Sequence, residues 1–275
     1  MPEKYTVIKE ILVGTHGIDI SKYDDSFLDK AIQKRMAENR CDAVETYCTQ
    51  LEISKQERII FINSLNISYS EFFRNPLTFA VLERIILPSL VINRRNSKKK
   101  EIRIWSAACA AGQETYSLAM LIEELRIGNG DENFFRIFAT DLDESQLNEA
   151  RKGQYQVFAL KNLNLNRINQ WFTKNGDTYS VKPELKIDIN FSPFDLLNEQ
   201  LACPCESIFG DFDLIFCANL LFYYKPEYRT KILGKLGRCL ANGGYLITGE
   251  TEREILLKQN FREVYPQSAI FQITF

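Results

Sequence analysis

The sequence predicts an α/β protein in which an all-α N-terminal domain precedes a domain built on a parallel sheet. Two patterns support this prediction. Through roughly the first ninety residues, apolar side chains recur at helical spacing. From residue 101 onwards, short β-rich runs alternate with helical runs, which is typical of a parallel α/β sheet. We therefore expect a helical domain over 1–76, a connecting helix and basic linker over 77–100, and the sheet domain over 101–275.

The helical domain is predicted from three amphipathic stretches, at 5–13, 27–36 and 59–65. The run Ser54-Lys55-Gln56-Glu57 has the form of a capping box in front of the last of these helices. A longer helix is expected over 77–92, with Pro76 in its first turn and Pro88 as a kink or an end. The polar, basic residues 93–100 that follow are typical of a solvated linker.

The sheet domain is predicted from hydrophobic runs that end in polar or turn-forming residues. These runs predict strands at 102–105, 135–140, 212–217 and 245–248, and helical spacing predicts helices at 114–126, 144–152 and 226–240. Residues 263–265 and 269–275 form a predicted antiparallel pair. Residues 155–191 contain the turn Asn175-Gly176-Asp177 flanked by 179–181 and 187–189, which predicts a small antiparallel β insertion.

The charge balance and the histidine content exclude several classes of protein. The chain has 34 Lys and Arg against 36 Asp and Glu, so no global field attracts nucleic acid or an anionic membrane surface. Ser-His-Asp hydrolases, Cys-His proteases and HExxH zinc enzymes need an imidazole beside their other groups, and only His16 is available. We therefore expect an enzyme without a histidine base and without a metal site.

The cysteines and the hydrophobic runs predict where the protein acts. Seven cysteines, an odd number without a C-x-x-C pair, favour reduced thiols in a cytosolic protein. The one tight pair, Cys203 and Cys205, lacks a nearby histidine and makes a poor zinc site. No stretch approaches the roughly 18 apolar residues of a membrane span. We expect a cytoplasmic monomer that neither inserts into a membrane nor binds nucleic acid.

Ligands of open α/β sheets bind beyond the carboxyl ends of the strands, so the loops after the strands are the expected site. The loop 106–114 contains one glycine, where a dinucleotide-binding fold has G-x-G-x-x-G. Glu114 would repel a pyrophosphate but accept an ammonium and a sulfonium, which favours S-adenosylmethionine over NAD; capping of the next helix is the alternative. Asp141 can accept both hydroxyls of a ribose, whereas Asp143 is the expected helix cap. Asn219 and Tyr223 should emerge at the same edge.

Nearly the whole chain carries a further pattern of short motifs. The N-terminal part contains Gly17-Ile18-Asp19-Ile20, Lys34-Arg35-Met36 and Ser70-Glu71-Phe72-Phe73-Arg74-Asn75-Pro76. The sheet domain continues it in residues 105–109, 112–114, 116–119, 139–143, 194–197 and 212–224. In this order the segments resemble the motifs of the CheR-type protein-glutamate O-methyltransferases, which modify bacterial chemoreceptors.

The resemblance implies a fold and a set of site residues. The fold is a Rossmann-like S-adenosylmethionine-dependent methyltransferase domain with a small antiparallel β insertion, preceded by an all-α N-terminal domain. Arg74 and Tyr223 are implied to flank the transferred methyl group as catalytic residues; pairing of Arg74 with a carboxylate and packing of Tyr223 in a core are the alternatives. The implied cofactor-binding positions are Ser68, Ser70, Arg74, Glu114, Asp141, Asp195, Leu196, Ala218 and Asn219.

The implied reaction is methyl transfer from S-adenosylmethionine to glutamate side chains of a protein, such as a chemoreceptor cytoplasmic domain, with S-adenosylhomocysteine as product. A glutamate carboxylate, with a pKa of about 4.3, is already an anion at neutral pH and can attack the methyl group without a general base. Lys30, Lys34 and Arg35 offer a basic face for an acidic receptor helix, or a merely solvated face.

Several positions depart from the family pattern, among them Ser68, Ser70, Ala110-Ala111 and Thr115. Ala218 stands where the family has Arg, and Gly249-Glu250-Thr251-Glu252 replaces G-H-S-E. The departure at Ala218 leaves open an alternative function, a non-catalytic signalling module that binds the cofactor or its product together with a protein partner.

Overall fold

The computed structural model describes residues 5–66, 69–95, 101–129, 135–207 and 210–274. The chain divides into two compact units. One unit comprises Met1–Ile67 together with Leu220–Lys231, and the other comprises Ser68–Asn219 together with Ile232–Phe275. The first boundary therefore lies at residue 67, whereas the sequence predicts it at 76, and the predicted connecting helix belongs to the second unit.

The helical unit is built around a core of large apolar side chains. The unit includes four α-helices: α1 (Thr6–His16), α2 (Asp25–Glu38), α3 (Val44–Ile53) and α4 (Lys55–Ser64). Helix α3 is absent from the sequence prediction. Their core includes Tyr5, Ile8, Leu12, Leu28, Ile32, Tyr47, Leu51, Phe61 and Leu65. Ser54 caps α4 as predicted, because its hydroxyl accepts the backbone N–H of Glu57 at 3.1 Å.

The segment Leu220–Lys231 completes the helical unit although it follows a strand of the sheet in the chain. The backbone N–H of Asp24 donates to the Tyr223 carbonyl at 2.8 Å. The rings of Tyr23 and Tyr224 stack with centroids 5.3 Å apart. The guanidinium of Arg229 lies 3.6 Å from Oδ2 of Asp24. This segment is therefore bound to the start of α2 by backbone, aromatic and charged contacts.

The second unit is centred on a seven-stranded sheet in the order β6-β2-β1-β7-β8-β10-β9. Its core strands are parallel, and only β10 runs antiparallel to its neighbours. The predicted strands and the antiparallel C-terminal pair are all present. The strands of this sheet are β1 (Ile102–Ala107), β2 (Phe135–Asp141), β6 (Ile189–Pro193), β7 (Phe212–Phe216), β8 (Leu240–Ile247), β9 (Phe261–Glu263) and β10 (Ile270–Ile273).

Helices cover this sheet. They are α5 (Pro76–Val81), α6 (Leu87–Arg95), α7 (Gln113–Asn129), α8 (Glu144–Lys152), α10 (Pro226–Cys239), which begins in the helical unit, and α11 (Arg253–Leu257). A π-helical turn at Leu82–Ile86 joins α5 to α6, so Pro88 does not end the helix, which continues to Arg95. The guanidinium of Arg94 pairs with the buried Asp213, so this part of the predicted linker is folded. Residues 96–100 lie outside the described part of the chain.

One described stretch, Pro76–Arg94, is long and apolar enough to cross a membrane. Its side chains at one face are buried in the main core of the sheet unit, with β1 and β7. They are Phe79, Leu82, Ile86, Leu87, Leu90 and Val91. Burial of this kind is typical of a core helix in a globular domain.

The predicted β insertion is present with different strands. Its sheet has the order β3-β5-β4, with β3 (Gln154–Gln156), β4 (Phe172–Asn175) and β5 (Thr178–Val181), and α9 (Leu165–Trp171) precedes β4. Of the two runs predicted to flank its turn, 179–181 lies in β5, but 187–189 is not part of this sheet. Residues from Ile189 onwards form β6, which pairs in parallel with β2 at the edge of the main sheet.

Candidate functional site

The carboxyl ends of β1, β2, β6, β7 and β8 lie at one edge of the sheet, because these strands are parallel. The loop after β1 makes tight turns, with Ala108 and Ala110 at positive φ of 56° and 47°. The backbone N–H of Ala110 donates to Oδ2 of Asp141 at 2.8 Å, and the Tyr155 hydroxyl donates to the Ala111 carbonyl at 2.7 Å. The loop is therefore held by β2 on one side and by the β insertion on the other.

Gly112 occupies a position in this loop where a side chain would be strained and crowded. Its φ is +87°, and a Cβ atom built on it would lie 2.9 Å from Cβ of Ala150. We expect Gly112→Ala to lower the free energy of unfolding by about 2–4 kcal/mol, from backbone strain and overpacking together. Urea denaturation measures the change. Gly176→Ala is the matched control, since its φ is +62° with nothing within 4 Å; an equal loss in both variants would refute the role of the close approach.

Asp141 ends β2 and accepts two backbone N–H groups. Oδ1 accepts from Asp143 at 2.9 Å, and Oδ2 accepts from Ala110. Burial raises the pKa of Asp141 above its ordinary value, and these hydrogen bonds oppose the rise. Asp143 caps α8 as predicted, by accepting the N–H of Ser145 at 2.8 Å. The Asp141 carboxylate is thus oriented by the backbone at the edge where a ribose is expected to bind.

Glu114 lies in the first turn of α7, behind the same loop. Burial raises its pKa well above the ordinary value; the positive charge of Arg74 opposes this rise, and the negative charge of Glu252 adds to it. Among the described residues no hydrogen-bond donor contributes to the pKa of this carboxylate. Glu114 therefore presents a poorly compensated negative charge, which a cationic ligand would stabilise.

Arg74 is positioned by the turn that precedes α5. Phe73 is buried with a positive φ of 47°, and its backbone N–H donates to the Ser117 hydroxyl at 3.1 Å. The guanidinium of Arg74 lies 5.1 Å from the ring centroid of Tyr69 and 3.4 Å from its carbonyl oxygen. Ser70 is half-buried in this turn. Ser68, also predicted to bind the cofactor, lies outside the described residues.

Asp195 and Leu196 follow β6 in a segment that a buried lysine holds. The Asp195 carboxylate accepts the N–H of Leu197 at 2.8 Å, and Leu196 is buried. Lys235 of α10 is only 6% exposed, and its ammonium donates to the carbonyls of Asn198 and Leu201, the latter at 2.9 Å. The sequence gives no signal for this contact, because Lys235 is distant in the chain and lies in an ordinary amphipathic helix.

Asn219 and Ala218 follow β7. Asn219 has a positive φ of 61°, and its backbone N–H donates to Oε2 of Glu252 at 2.7 Å. Ala218 is half-buried and has only a methyl group where the family has a guanidinium. Sequence reasoning does not single out Glu252 as a site residue, although its motif, G-E-T-E, is one of the departures from the family pattern.

Tyr223 belongs to the helical unit, within Leu220–Lys231. Its ring is half-buried and packs edge-to-face on Phe27 of α2, with centroids 5.0 Å apart. Its catalytic role remains a prediction.

Of the three residues predicted to form a basic face on α2, only two are exposed. Lys30 and Lys34 are exposed, but Arg35 is 9% exposed and donates two hydrogen bonds to the carboxylate of Glu57. Tyr47 donates to the same carboxylate at 2.8 Å. Assignment of Arg35 to a substrate-binding surface is therefore wrong. Glu57 serves this buried cluster, so its side chain does not complete the predicted capping box.

Removal of Glu57 should unfold the helical unit readily. Glu57→Ala leaves the buried Arg35 guanidinium without its main partner, and we expect a loss of about 3–5 kcal/mol in the free energy of unfolding. Glu38→Ala is the control, because Glu38 also pairs with Arg35 but its side chain is 47% exposed, and we expect a loss of about 1 kcal/mol or less. Equal losses in the two variants, measured by urea denaturation, would contradict this ranking.

The residues at the carboxyl edge fit a cationic, ribose-bearing ligand. Asp141 supplies a carboxylate for hydroxyl groups, and the half-buried Glu114 supplies a negative charge that, among the described residues, Arg74 opposes. A pyrophosphate would be repelled by the negative charges of Glu114 and Asp141. The loop also has only one glycine, so it lacks the glycine-rich backbone that binds phosphates. The donor set therefore suits S-adenosylmethionine, with its ammonium and sulfonium, and does not suit NAD.

Comparison with known proteins agrees with this geometry. Residues 3–65 match the family model described as CheR methyltransferase, all-alpha domain. Residues 68–270 match the model described as CheR methyltransferase, SAM binding domain. The chain belongs to the CheR methyltransferase family. Its N-terminal helical unit and its sheet unit correspond to the two domains of that family, so the predicted fold class is confirmed.

Individual relatives match between 77% and 92% of this CheR-family chain. A chemotaxis protein methyltransferase of Listeria innocua is 29% identical over 253 residues, covering 92% of this chain and 91% of that protein. Chemotaxis protein methyltransferase 1 of Pseudomonas aeruginosa is 28% identical, covering 90% and 89%. A chemotaxis protein methyltransferase of Vibrio parahaemolyticus is 34% identical, covering 77% and 74%. This CheR-family protein is thus an S-adenosylmethionine-dependent methyltransferase.

Proposed function

We propose that this CheR-family enzyme transfers the methyl group of S-adenosylmethionine to glutamate side-chain carboxylates of a chemoreceptor cytoplasmic domain, and so forms glutamate methyl esters in chemotaxis signalling. The observation that carries the proposal is the chemistry of the carboxyl edge. Its described residues supply carboxylates and one guanidinium, and the single histidine of the chain, His16, ends α1 in the helical unit. A site without a general base suits a methyl acceptor that is already ionised at neutral pH, such as a glutamate carboxylate.

Each residue has a defined task in this reaction. When bound, the cofactor supplies an electrophilic methyl group on a sulfonium. Glu114 and Asp141 hold the cofactor, and Asp195, Leu196 and Asn219 complete its binding surface. Arg74 orients an anionic carboxylate, and Tyr223 helps to hold the methyl acceptor. Catalysis on these terms rests on positioning and charge more than on proton transfer.

The substrate surface that we propose is the exposed face of α2 around Lys30 and Lys34. Two lysines one helical turn apart lie on the same face and suit an acidic receptor helix. Arg35 takes no part in it, because Glu57 neutralises that guanidinium inside the helical unit.

Incubation with radiolabelled S-adenosylmethionine and a chemoreceptor cytoplasmic fragment tests the proposal. We expect incorporated label that mild base releases as methanol, since glutamate methyl esters are base-labile. A fragment with alanine at its acidic positions is the control and should take up no label. Label that resists base, or none above the control, would refute methylation of receptor glutamates.

A second function is favoured by one specific position, Ala218. Loss of the family's guanidinium there suits a module that binds S-adenosylmethionine or S-adenosylhomocysteine together with a protein partner and does not turn over. Calorimetry separates the two functions when combined with the labelling assay. Binding of the cofactor without any base-labile label would favour the non-catalytic module.

A further inference from the structure

The buried carboxylate of Glu252 lies next to the cofactor edge and is held by three hydrogen bonds. Glu252 is fully buried, at 0% exposed. Its Oε2 atom accepts three hydrogen bonds: from the N–H of Asn219 at 2.7 Å, from the Thr248 hydroxyl at 2.7 Å and from the N–H of Gly249 at 2.9 Å. Three donors on one oxygen are the arrangement expected for an ionised carboxylate.

These contacts fix the turn that presents Asn219. A non-glycine residue with a φ of +61° adopts the left-handed region, which is disfavoured for L-amino acids and needs support from its surroundings. Gly249 leaves room for the Asn219 side chain, because a Cβ atom at Gly249 would lie 2.8 Å from Oδ1 of Asn219. Glu252 and Gly249 together therefore determine both the backbone conformation of Asn219 and the position of its amide.

Glu252 also contributes charge to this edge. Its negative charge adds to the raised pKa of Glu114 and is the largest charge effect on the pKa of the buried Cys217 thiol. The carboxylates of Glu114 and Glu252 thus both contribute negative charge to this edge, and the positive charge of Arg74 opposes that of Glu114. A ligand with one more positive charge should gain from this field, and burial weakens its screening by solvent.

We propose that Glu252 is a positioning and specificity residue, which holds the Asn219 turn by hydrogen bonds and, through its charge, favours the sulfonium of S-adenosylmethionine over the neutral thioether of S-adenosylhomocysteine. The proposal rests on the cofactor chemistry of the family and does not depend on which protein is methylated.

Calorimetric titration of the purified full chain with each of the two ligands tests the proposal. Glu252→Gln keeps the shape of the side chain and removes its charge. We expect its Kd for S-adenosylmethionine to rise about tenfold, with a clearly smaller rise for S-adenosylhomocysteine, so that the ratio of the two constants shifts. Glu250→Gln is the matched control: it makes the same charge change two residues away in the same turn, on an exposed side chain, and should leave both constants unchanged.

A second variant separates position from charge and remains informative if Glu252→Gln does not fold. Thr248→Val removes one donor to Oε2 and leaves the carboxylate charge in place. We expect it to weaken both ligands by the same few-fold factor, and Thr248→Ser to restore them. Equal weakening of both ligands in Glu252→Gln would overturn the charge-based preference. Unchanged constants in Thr248→Val would overturn the positioning role. Neither readout needs a methyl acceptor, so failure of receptor methylation is a separate result.

Discussion

Arg74→Ala should reduce methyl transfer to receptor glutamates by about 100-fold or more, with little change in fold. The expectation follows from the chemistry, because a site without a base depends on charge to orient the acceptor, and removal of one preorganised charged donor commonly costs this much. Arg74 is suited to the task, since its guanidinium lies against Tyr69 and its positive charge acts on Glu114. The rate of release of base-labile methanol measures the effect.

Two further variants make the Arg74 result specific. Arg74→Lys keeps the charge but loses the planar fork, and we expect it to recover only part of the rate. Arg84→Ala removes an exposed arginine from the π-helical turn of the same unit and should leave the rate unchanged. Turnover by Arg74→Ala near that of the unaltered enzyme, with circular dichroism unchanged, would contradict a catalytic role for Arg74.

Glu114→Gln should weaken cofactor binding and stabilise the cofactor-free protein at the same time. The pKa of Glu114 is raised in the folded state, so the folded protein holds this proton more tightly than the unfolded chain. The free energy of unfolding of the cofactor-free protein therefore falls as pH rises from the pKa of Glu114 in the unfolded chain, about 4.3. The whole destabilisation is present above the raised pKa of Glu114 in the folded protein. We expect the Gln variant to be the more stable protein in that upper range and the difference to vanish below the unfolded pKa.

Loss of affinity is the other half of this prediction. The ionised carboxylate is the form that accepts a cation, so Glu114→Gln should raise the Kd for S-adenosylmethionine by about 10- to 100-fold. For the same reason the unaltered enzyme should bind the cofactor less tightly as pH falls through the raised pKa of Glu114. Urea denaturation and calorimetry at several pH values measure both effects. Glu184→Gln, an exposed glutamate of the same unit, is the control and should change neither quantity.

A variant that binds tightly and is also more stable would contradict the charge argument for Glu114. We instead expect affinity to fall while stability rises, because an uncompensated charge that favours cofactor binding destabilises the cofactor-free protein.

Local patterns in the sequence were sufficient for most of the fold. The runs that became β1, β2 and β7 are apolar enough to be recognised as buried parallel strands, and the amphipathic spacing of α7 and α8 identified their helices. Residues 187–189 were assigned to the wrong sheet, because a short strand pattern specifies that a strand forms but not its partner. Helix α3 is missing from the prediction although its sequence does carry a helical signal, because Val44, Tyr47, Cys48 and Leu51 recur at helical spacing and the last three are buried.

Site residues could be predicted where a single side chain has the required chemistry. They could not be predicted where the role depends on a contact between residues distant in the sequence. Glu114 and Asp141 follow strands, so topology alone brings them to the carboxyl edge. Glu252 acts through the backbone N–H of Asn219, and Lys235 through the carbonyls of Asn198 and Leu201, so neither contact leaves a local signature. Arg35 was misplaced for a similar reason, since only the folded helical unit brings Glu57 to it.

The return of Leu220–Lys231 to the helical unit has a consequence for synthesis of the protein. The start of α2 is made early, but its backbone partner at Tyr223 leaves the ribosome only after most of the sheet unit has been translated. At typical rates of synthesis the delay is roughly ten to forty seconds. The N-terminal helices therefore remain incompletely packed until this late segment has been synthesised. For the same reason, a recombinant fragment that ends near residue 67 would lack part of the core of the helical unit.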